Sequence, residues 1–198
     1  MELIINLHHF PEQIVAFLKE HHYFDIHIEV SYEETLLDTG GGLKKAQWFF
    51  NDGKPFLLHN VDVVSNLNFN QMLQYHQQKN GLATLAVRTR STSRYLLFDT
   101  ADRLAGWEDI NLGQKKLIAP GRTEIRPFSF MGIHIISPEI FTHLPLAEKF
   151  SIVTAYLDLV SQKNSIYAFH ADAFSWSDLG QIRNLQAAEE DSDLLTPI

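Results

Sequence analysis

Short apolar runs alternate with amphipathic stretches along the chain. Residues 3–7 form an apolar run that predicts a strand, and the helix that Pro11 opens carries its apolar residues on one side. Residues 25–32 alternate between apolar and polar positions, which predicts a half-exposed strand near the edge of a sheet. The chain therefore begins with a strand, a helix and a second strand.

The same alternation continues into the middle of the chain. Residues 33–46 predict a loop that runs into a helix ending near Phe50, and residues 56–58 predict a short buried strand. Residues 68–78 then predict a helix, and residues 82–87 predict another strand. This part of the chain has the pattern of a sheet whose strands are joined by helices.

Residues 94–107 show a different pattern, that of a β-hairpin inserted into the alternation. Two apolar segments there flank the polar run at residues 99–102. Residues 109–126 contain few apolar positions, which predicts a segment that crosses the surface. The remaining predicted elements are strands at residues 128–136 and 166–169 and helices that begin near residues 151 and 181. Together the elements predict an α/β fold with a mostly parallel sheet covered on both faces.

The composition narrows the class of protein. A chain of 198 residues with 45% hydrophobic positions fits one domain, and the absence of cysteine excludes disulfides and thiolate chemistry. A formal net charge of -8 argues against nucleic-acid binding but allows an anionic substrate held by local groups. No apolar run is long enough to span a bilayer, and no secretory signal is apparent, so we expect a cytoplasmic protein without membrane contact.

Two aspartates are candidates for metal binding. Asp62 follows the strand predicted at residues 56–58, and the carboxyl ends of strands in an open α/β sheet face the ligand crevice. The alternative is that Asp62 caps a turn before the next helix. Asp178 has the same ambiguity, because it could be the N-cap of the helix predicted from residue 181.

The glycine run Gly40-Gly41-Gly42 is a candidate ligand loop. Three glycines allow the backbone to approach a flat or anionic group closely, and amides at a helix start point towards such a group. A flexible turn is the alternative. Asp38-Thr39-Gly40 also matches the triplet of aspartic proteases, but that chemistry needs a second acidic partner in a β-rich scaffold, whereas this triplet leads into a helix.

Histidines and basic residues offer two weaker possibilities. A metal site at His21, His22 and His27 is one, although scattered surface histidines are far commoner. A basic residue that reaches a substrate phosphate is the other, although solvated surface charges are the simpler interpretation. The basic residues in question are Lys115, Lys116, Arg122 and Arg126.

Four segments, in the same order over nearly the whole chain, resemble the sugar-1-phosphate nucleotidyltransferases, which make nucleotide sugars. Residues 34–41 are similar to that family's base-binding stretch, a Glu or Gln followed by Leu-Gly-Thr-Ala-Gly. Asn60-Val61-Asp62 resembles its Asn-Gly-Asp, and residues 130–141 resemble its sugar-side strand and turn. Residues 176–180 match Trp-x-Asp-x-Gly. The most similar subgroup is the short bacterial one that acts on N-acetylmuramate, mannose or related sugar 1-phosphates.

The resemblance implies a three-layer α/β/α Rossmann-like nucleotidyltransferase fold and a catalytic Mg²⁺ held by Asp62 and Asp178. The reaction would join a nucleoside triphosphate and a sugar 1-phosphate into a nucleotide sugar and pyrophosphate. The resemblance also implies contacts to each substrate. The nucleotide would contact Glu34, Thr39, Gly40, Gly41 and Asn60, and the sugar would contact Glu124, Gly132 and Trp176.

Two departures from the family pattern affect these expectations. Val61 replaces the usual glycine beside the metal-binding aspartate, so a branched side chain stands where the backbone normally passes close to the nucleotide. The family's first strand and its glycine-rich triphosphate loop, Leu-Ala-Ala-Gly-x-Gly-Thr-Arg, have no counterpart, because residues 1–7 resemble the second strand. We therefore expect one N-terminally incomplete domain over residues 1–198, which turns over poorly alone. Either the two strands beside the missing one pair directly, or another chain fills the gap, for example in a homo-oligomer, or the sequence is a truncated part of a longer protein.

Two other functions stay open. One is a nucleotide-sugar-dependent glycosyltransferase, in which residues 60–62 would be a degenerate Asp-x-Asp metal motif and the product a nucleoside diphosphate. The other is a non-catalytic subunit that binds a nucleotide or a sugar without Mg²⁺-dependent turnover. The sequence identifies neither the base nor the sugar.

Overall fold

A computed structural model of the protein describes residues 2–118, 124–180 and 184. The elements, in chain order, are β1 (Glu2–Leu7), α1 (Pro11–Glu20), β2 (His27–Tyr32), α2 (Asp38–Lys45), β3 (Phe56–His59), β4 (Val63–Ser65), α3 (Phe69–Lys79), β5 (Ala83–Arg88), β6 (Arg94–Asp99), β7 (Leu104–Asp109), β8 (Gln114–Leu117), β9 (Ile125–Ile136), α4 (Ile152–Ser161), β10 (Ile166–His170) and β11 (Trp176–Asp178). Short 3₁₀ turns occur at His22–Asp25, Gln47–Phe49 and Pro138–Thr142. None of the described helices is long and apolar enough to cross a membrane.

The chain divides into two compact units. The first comprises Met1–Lys54 and Phe141–Tyr156, and the second comprises Pro55–Ile140 and Leu157–Ile198. In the first unit, β1 and β2 form a parallel two-stranded sheet. Among the described strands β1 pairs only with β2, so its other edge has no strand partner.

Close packing accounts for the glycine run of the first unit. The three glycines lie inside α2 and are buried, rather than forming a loop before it. A Cβ on Gly40 would collide with the ring of Phe150, and a Cβ on Gly41 would collide with the carbonyl oxygen of Glu148. The amide of Gly40 also donates to the carbonyl of Phe150 over 3.1 Å. The expected open glycine loop is therefore a helix pressed against the segment that contains these two residues.

A seven-stranded sheet forms the second unit, in the order β10-β5-β9-β6-β7-β8, with β3 paired to β9. Only β5 and β10 run parallel within it, so the expected mostly parallel arrangement is wrong. The cause is β9, whose 12 residues run antiparallel to β3, β5 and β6. The hairpin connections of β6, β7 and β8 are antiparallel by construction. Among the described strands β3 pairs only with β9, and its other edge has no strand partner.

The core of the second unit lies where α3 packs on β5, β9 and β10. Side chains that are fully or nearly fully buried there include Met72 on α3, Ala86 on β5 and Met131 and Ile133 on β9. Burying such side chains contributes about 1.5–3 kcal/mol each for the larger ones. This packing fixes the positions of the C-terminal end of β5 and the middle of β9.

The predicted hairpin is confirmed as β6 and β7, which pair antiparallel. Within residues 109–126, which were predicted to cross the surface, the structure forms the exposed strand β8 and the start of β9, two strands that the sequence pattern did not indicate. All four residues of β8 are exposed, so no alternation of apolar and polar positions marks this edge strand. The helix predicted near residues 181–190 falls almost entirely outside the described residues. The expectation of a single incomplete domain stays a prediction.

Candidate active site

Two short strands bring together aspartates that lie far apart in the sequence. Asp62 immediately precedes β4, and Asp178 is the last residue of β11. The strands pair antiparallel with Asp178 opposite Val63, and the amide of Leu179 donates to the carbonyl of Asp62 over 2.6 Å. The main chains at the two aspartates are therefore tied directly to each other.

The two carboxylates converge on Gly180. A Cβ on Gly180 would lie 3.0 Å from Oδ2 of Asp62 and 3.1 Å from Oδ1 of Asp178. The amide of Gly180 donates to Oδ1 of Asp178 over 2.9 Å, an Asx-type turn that orients this carboxylate. Asp62 is exposed and Asp178 is half-buried, so both oxygens remain open to a ligand from solvent.

The donor set suits Mg²⁺. Among the described residues, no cluster of three or more histidine, cysteine or acidic side chains is arranged to hold a metal. The protein ligands that this site offers are therefore the two carboxylates of Asp62 and Asp178. Mg²⁺ is commonly bound through one or two carboxylates together with water and substrate phosphates rather than in an all-protein cage. The same finding gives no support to the alternative metal site at His21, His22 and His27, all of which are described.

Polar contacts that the sequence did not indicate hold β11 against β4. The hydroxyl of Ser65 donates to the carbonyl of Ser175 over 2.6 Å, and the amide of Ser175 donates to Oδ1 of Asn66 over 2.7 Å. The indole Nε1 of Trp176 donates to the carbonyl of Met131 over 2.8 Å and so fixes β11 to β9. In the sequence, the polar pair Ser65-Asn66 directly after the valines of β4 is the feature that could have pointed to these contacts.

Asn60 and Gly132, predicted to contact different substrates, lie against each other. The amide of Asn60 donates to the carbonyl of Gly132 over 2.9 Å. Gly132 has φ +78, and a Cβ there would lie 2.9 Å from Nδ2 of Asn60. Val61, which replaces the family's glycine, points into solvent with 95% of its surface exposed and causes no collision within the described protein.

Substituting Gly132 with alanine is expected to destabilise the protein by about 2 kcal/mol, because it combines left-handed backbone strain with a collision against Asn60. Gly53→Ala is the matched control, since Gly53 has a similar φ of +70 but nothing lies within 4 Å of its Cβ position. Urea unfolding of both variants separates the two effects. Equal losses of unfolding free energy would show that the contact with Asn60 contributes nothing.

A buried and a half-buried histidine lie near the end of β3. Burial, with a smaller contribution from His59, lowers the pKa of His134 on β9 to about 3. Burial also lowers the pKa of His59, whose Nδ1 lies 2.8 Å from the carbonyl oxygen of Asn60. The lowered pKa of each imidazole favours its neutral form.

The predicted nucleotide-binding residues of the first unit differ in solvent exposure and in hydrogen bonding. Glu34 is exposed, and Gly40 and Gly41 are buried in α2. The amide of Thr39 donates to Oδ1 of Asp38 over 2.7 Å. Sequence reasoning missed Glu33, which is buried and whose Oε2 accepts the amide of Leu37 over 3.0 Å, so that its carboxylate shapes this segment.

Glu124 and two of the basic residues from the same region form ion pairs. Glu124 forms an ion pair with Arg126 at 2.7 Å, and Lys115 pairs with Glu108 at 3.3 Å. Arg122 lies outside the described residues. The predicted sugar-side role of Glu124 would therefore require this ion pair to open or to act as a unit.

The two carboxylates that converge at the ends of short strands form a candidate site for a divalent cation on an α/β fold. The particular family follows from comparison with known sequences. The nucleotidyl transferase family model matches residues 1–193, so the chain belongs to the nucleotidyl transferase family.

Curated relatives include guanyltransferases. The chain is 26% identical to mannose-1-phosphate guanyltransferase 2 of Candida glabrata over 195 residues, which are 94% of this chain and 50% of that protein. It is also 26% identical to mannose-1-phosphate guanyltransferase of Kluyveromyces lactis over 189 residues, 91% of this chain and 48% of that protein. The chain thus spans about half the length of these relatives.

Solved structures confirm the α/β nucleotidyltransferase fold. HddC from Yersinia pseudotuberculosis superposes with a TM-score of 0.75 at 17% identity, covering 96% of this chain and 78% of that one. An apo UDP-glucose pyrophosphorylase superposes with a TM-score of 0.69 at 12% identity, covering 96% and 80%. At these identities the likeness establishes the fold alone.

Proposed function

We propose that the site at Asp62 and Asp178 transfers a nucleoside monophosphate from a nucleoside triphosphate to a sugar 1-phosphate. The observation that carries the proposal is the convergence of the two carboxylates on Gly180. The family supports it, and so do the relatives named as mannose-1-phosphate guanyltransferases. The products would be a nucleotide sugar and pyrophosphate.

Asp62 and Asp178 would hold one Mg²⁺, which when bound neutralises charge on the α-phosphate. An oxygen of the sugar 1-phosphate attacks the α-phosphorus in line with the departing pyrophosphate, so the protein mainly supplies position and charge. Asp178 is held in place by the amide of Gly180, and Asp62 is held through the amide of Leu179 on its own carbonyl. These contacts let the carboxylates act without rearranging.

The remaining predicted residues would bind the two substrates. Glu34, Thr39 and Asn60 would serve the nucleotide, and Glu124, Gly132 and Trp176 the sugar. The burial of Gly40 and Gly41 inside α2 does not favour the nucleotide contact that the resemblance implies for them. The rigid contact between Asn60 and Gly132 would couple the position of the nucleotide to that of the sugar. The cytoplasmic location, and pairing with another chain at the free edges of β1 and β3, stay predictions.

The product assay decides among the three candidate functions. Purified chain is incubated with Mg²⁺, α-labelled GTP, UTP or dTTP, and mannose or glucose 1-phosphate, at high protein concentration because slow turnover is expected. We expect label in a nucleotide sugar, with release of pyrophosphate. A nucleoside diphosphate formed from a nucleotide sugar would instead identify a glycosyltransferase. Calorimetric binding of a nucleotide sugar with no labelled product in any mixture would identify a binding subunit.

A further inference from the structure

Two arginines lie over the ring of Trp176, which precedes Asp178 by two residues on β11. The guanidinium carbon of Arg90 lies 4.5 Å from the centroid of the Trp176 ring, and that of Arg88 lies 5.9 Å from it. Arg88 ends β5, and Arg90 follows two residues later. Nε of Arg90 donates to the buried hydroxyl of Ser129 on β9 over 3.0 Å, which fixes the guanidinium on the indole. Stacking on a tryptophan face stabilises such a cation.

These two arginines lack the acidic partners that the other described arginines have. Arg94 pairs with Asp109 at 3.3 Å, and Arg103 pairs with Asp99 at 2.9 Å. Neither Arg88 nor Arg90 forms an ion pair with a carboxylate of the described residues.

One of the two guanidinium groups has a hydrogen-bond donor without a partner. Nε of Arg88 is buried and has no hydrogen-bond partner. Oδ1 of Asp172 accepts the amide of Thr89 over 2.7 Å, and Asp172 forms no ion pair with Arg88 or Arg90 among the described residues. A buried charged donor without a partner is costly, and a bound anion would relieve that cost.

The position of the pair relative to the carboxylates indicates what the anion belongs to. Trp176 and Asp178 are alternate residues of β11, so their side chains leave the same face about 7 Å apart along the strand. In the proposed function the 1-phosphate of the sugar must lie beside Asp62 and Asp178, where it meets the α-phosphorus. This spacing between the Trp176 and Asp178 positions is comparable with the width of a hexose ring. In the proposed function the arginines over Trp176 would therefore face a substituent on the ring rather than the 1-phosphate.

We propose that Arg88 and Arg90 bind a second acidic group, a carboxylate or phosphate, on the sugar ring. The substrate class is therefore an acidic sugar 1-phosphate. The inference rests on the proposed function, which places a sugar 1-phosphate at this site. Guanidinium groups suit the role because they are always charged and present several N–H donors in a planar fork that matches carboxylate and phosphate oxygens.

Calorimetric titration of the full chain without nucleotide or Mg²⁺ tests the inference. Glucuronic acid 1-phosphate and glucose 1,6-bisphosphate are compared with glucose 1-phosphate, which lacks the second acidic group. We expect at least one acidic ligand to bind about tenfold more tightly than the neutral one, since charge-assisted hydrogen bonds are about twice as strong as neutral ones. Added NaCl should reduce this preference.

Substitutions assign the preference to the two arginines. Arg90→Gln should abolish it, and Arg90→Lys should restore it in part by keeping the charge. Arg88→Gln should do the same as Arg90→Gln, and its thermal unfolding shows whether the variant is folded. Arg94→Gln is the matched control and should retain the full preference, because Arg94 is paired with Asp109.

Three outcomes would overturn the inference. The first is that the unsubstituted chain binds acidic and neutral ligands equally, and the second is that Arg90→Gln keeps the preference unchanged. The third is that Arg90→Gln binds all three ligands equally more weakly, which would mean that the arginines bind the 1-phosphate. Failure of the proposed function appears separately. In that case the binding preference is present, but no labelled nucleotide sugar forms in the product assay.

Discussion

Asp62→Asn and Asp178→Asn are each expected to weaken binding of Mn²⁺, a spectroscopic substitute for Mg²⁺, by about a hundredfold or more. Each substitution removes one of only two carboxylates, and even loss of a group that merely orients a ligand typically costs 10–100-fold in metal affinity. The asparagine Oδ1 at position 178 can still accept the amide of Gly180, so the fold should be kept. Electron paramagnetic resonance of free Mn²⁺ measures the affinity directly.

Turnover should fall together with metal affinity. In the labelled product assay both variants are expected to lose about a hundredfold or more of the Mg²⁺-dependent rate. Asp158→Asn serves as the control, because Asp158 is an exposed residue of α4 outside the site. If Asp62→Asn bound Mn²⁺ and turned over in Mg²⁺ as the unsubstituted chain does, the metal assignment would be wrong.

The free energy of unfolding is expected to fall steeply below pH 6.5 because of His134. Burial lowers the pKa of this imidazole to about 3 in the folded protein, while in the unfolded chain it is about 6.5. The unfolded state therefore binds one more proton between these values. The stabilisation is complete above pH 6.5 and is lost as the pH falls, by about 1.4 kcal/mol per pH unit. Burial lowers the pKa of His76 as well, which adds to the same trend.

Urea unfolding at several pH values between 6.5 and 5 checks this expectation in a range where most carboxylates remain ionised. His134→Gln should reduce the slope by about 1.4 kcal/mol per pH unit, since glutamine does not titrate. His143→Gln, a substitution of an exposed histidine, should leave the slope unchanged. An unchanged slope in His134→Gln would mean that His134 is accessible to protons in the folded state.

Local sequence patterns predicted the longer elements well, because each of these strands and helices carries its own periodicity. The hairpin of β6 and β7 is an example, since two apolar segments flank a polar turn. Patterns failed for β8, an edge strand exposed along its whole length, and for β4 and β11, which have three residues each. Such strands are stabilised by pairing with neighbouring strands. When the partner lies far away in the sequence, the residues of the strand itself carry no pattern that predicts the pairing.

Some features of the candidate site were likewise predicted from the sequence, and others were found only in the tertiary structure. The sequence by itself determined the α/β class, through alternating strands and helices, and it identified Asp62 and Asp178 through their resemblance to family motifs. Only the tertiary structure placed both carboxylates beside Gly180, set Arg88 and Arg90 on Trp176, and buried His134. The reason is that periodicity records which face of an element is buried, whereas charge pairing and burial of single polar groups depend on long-range contacts that periodicity does not encode.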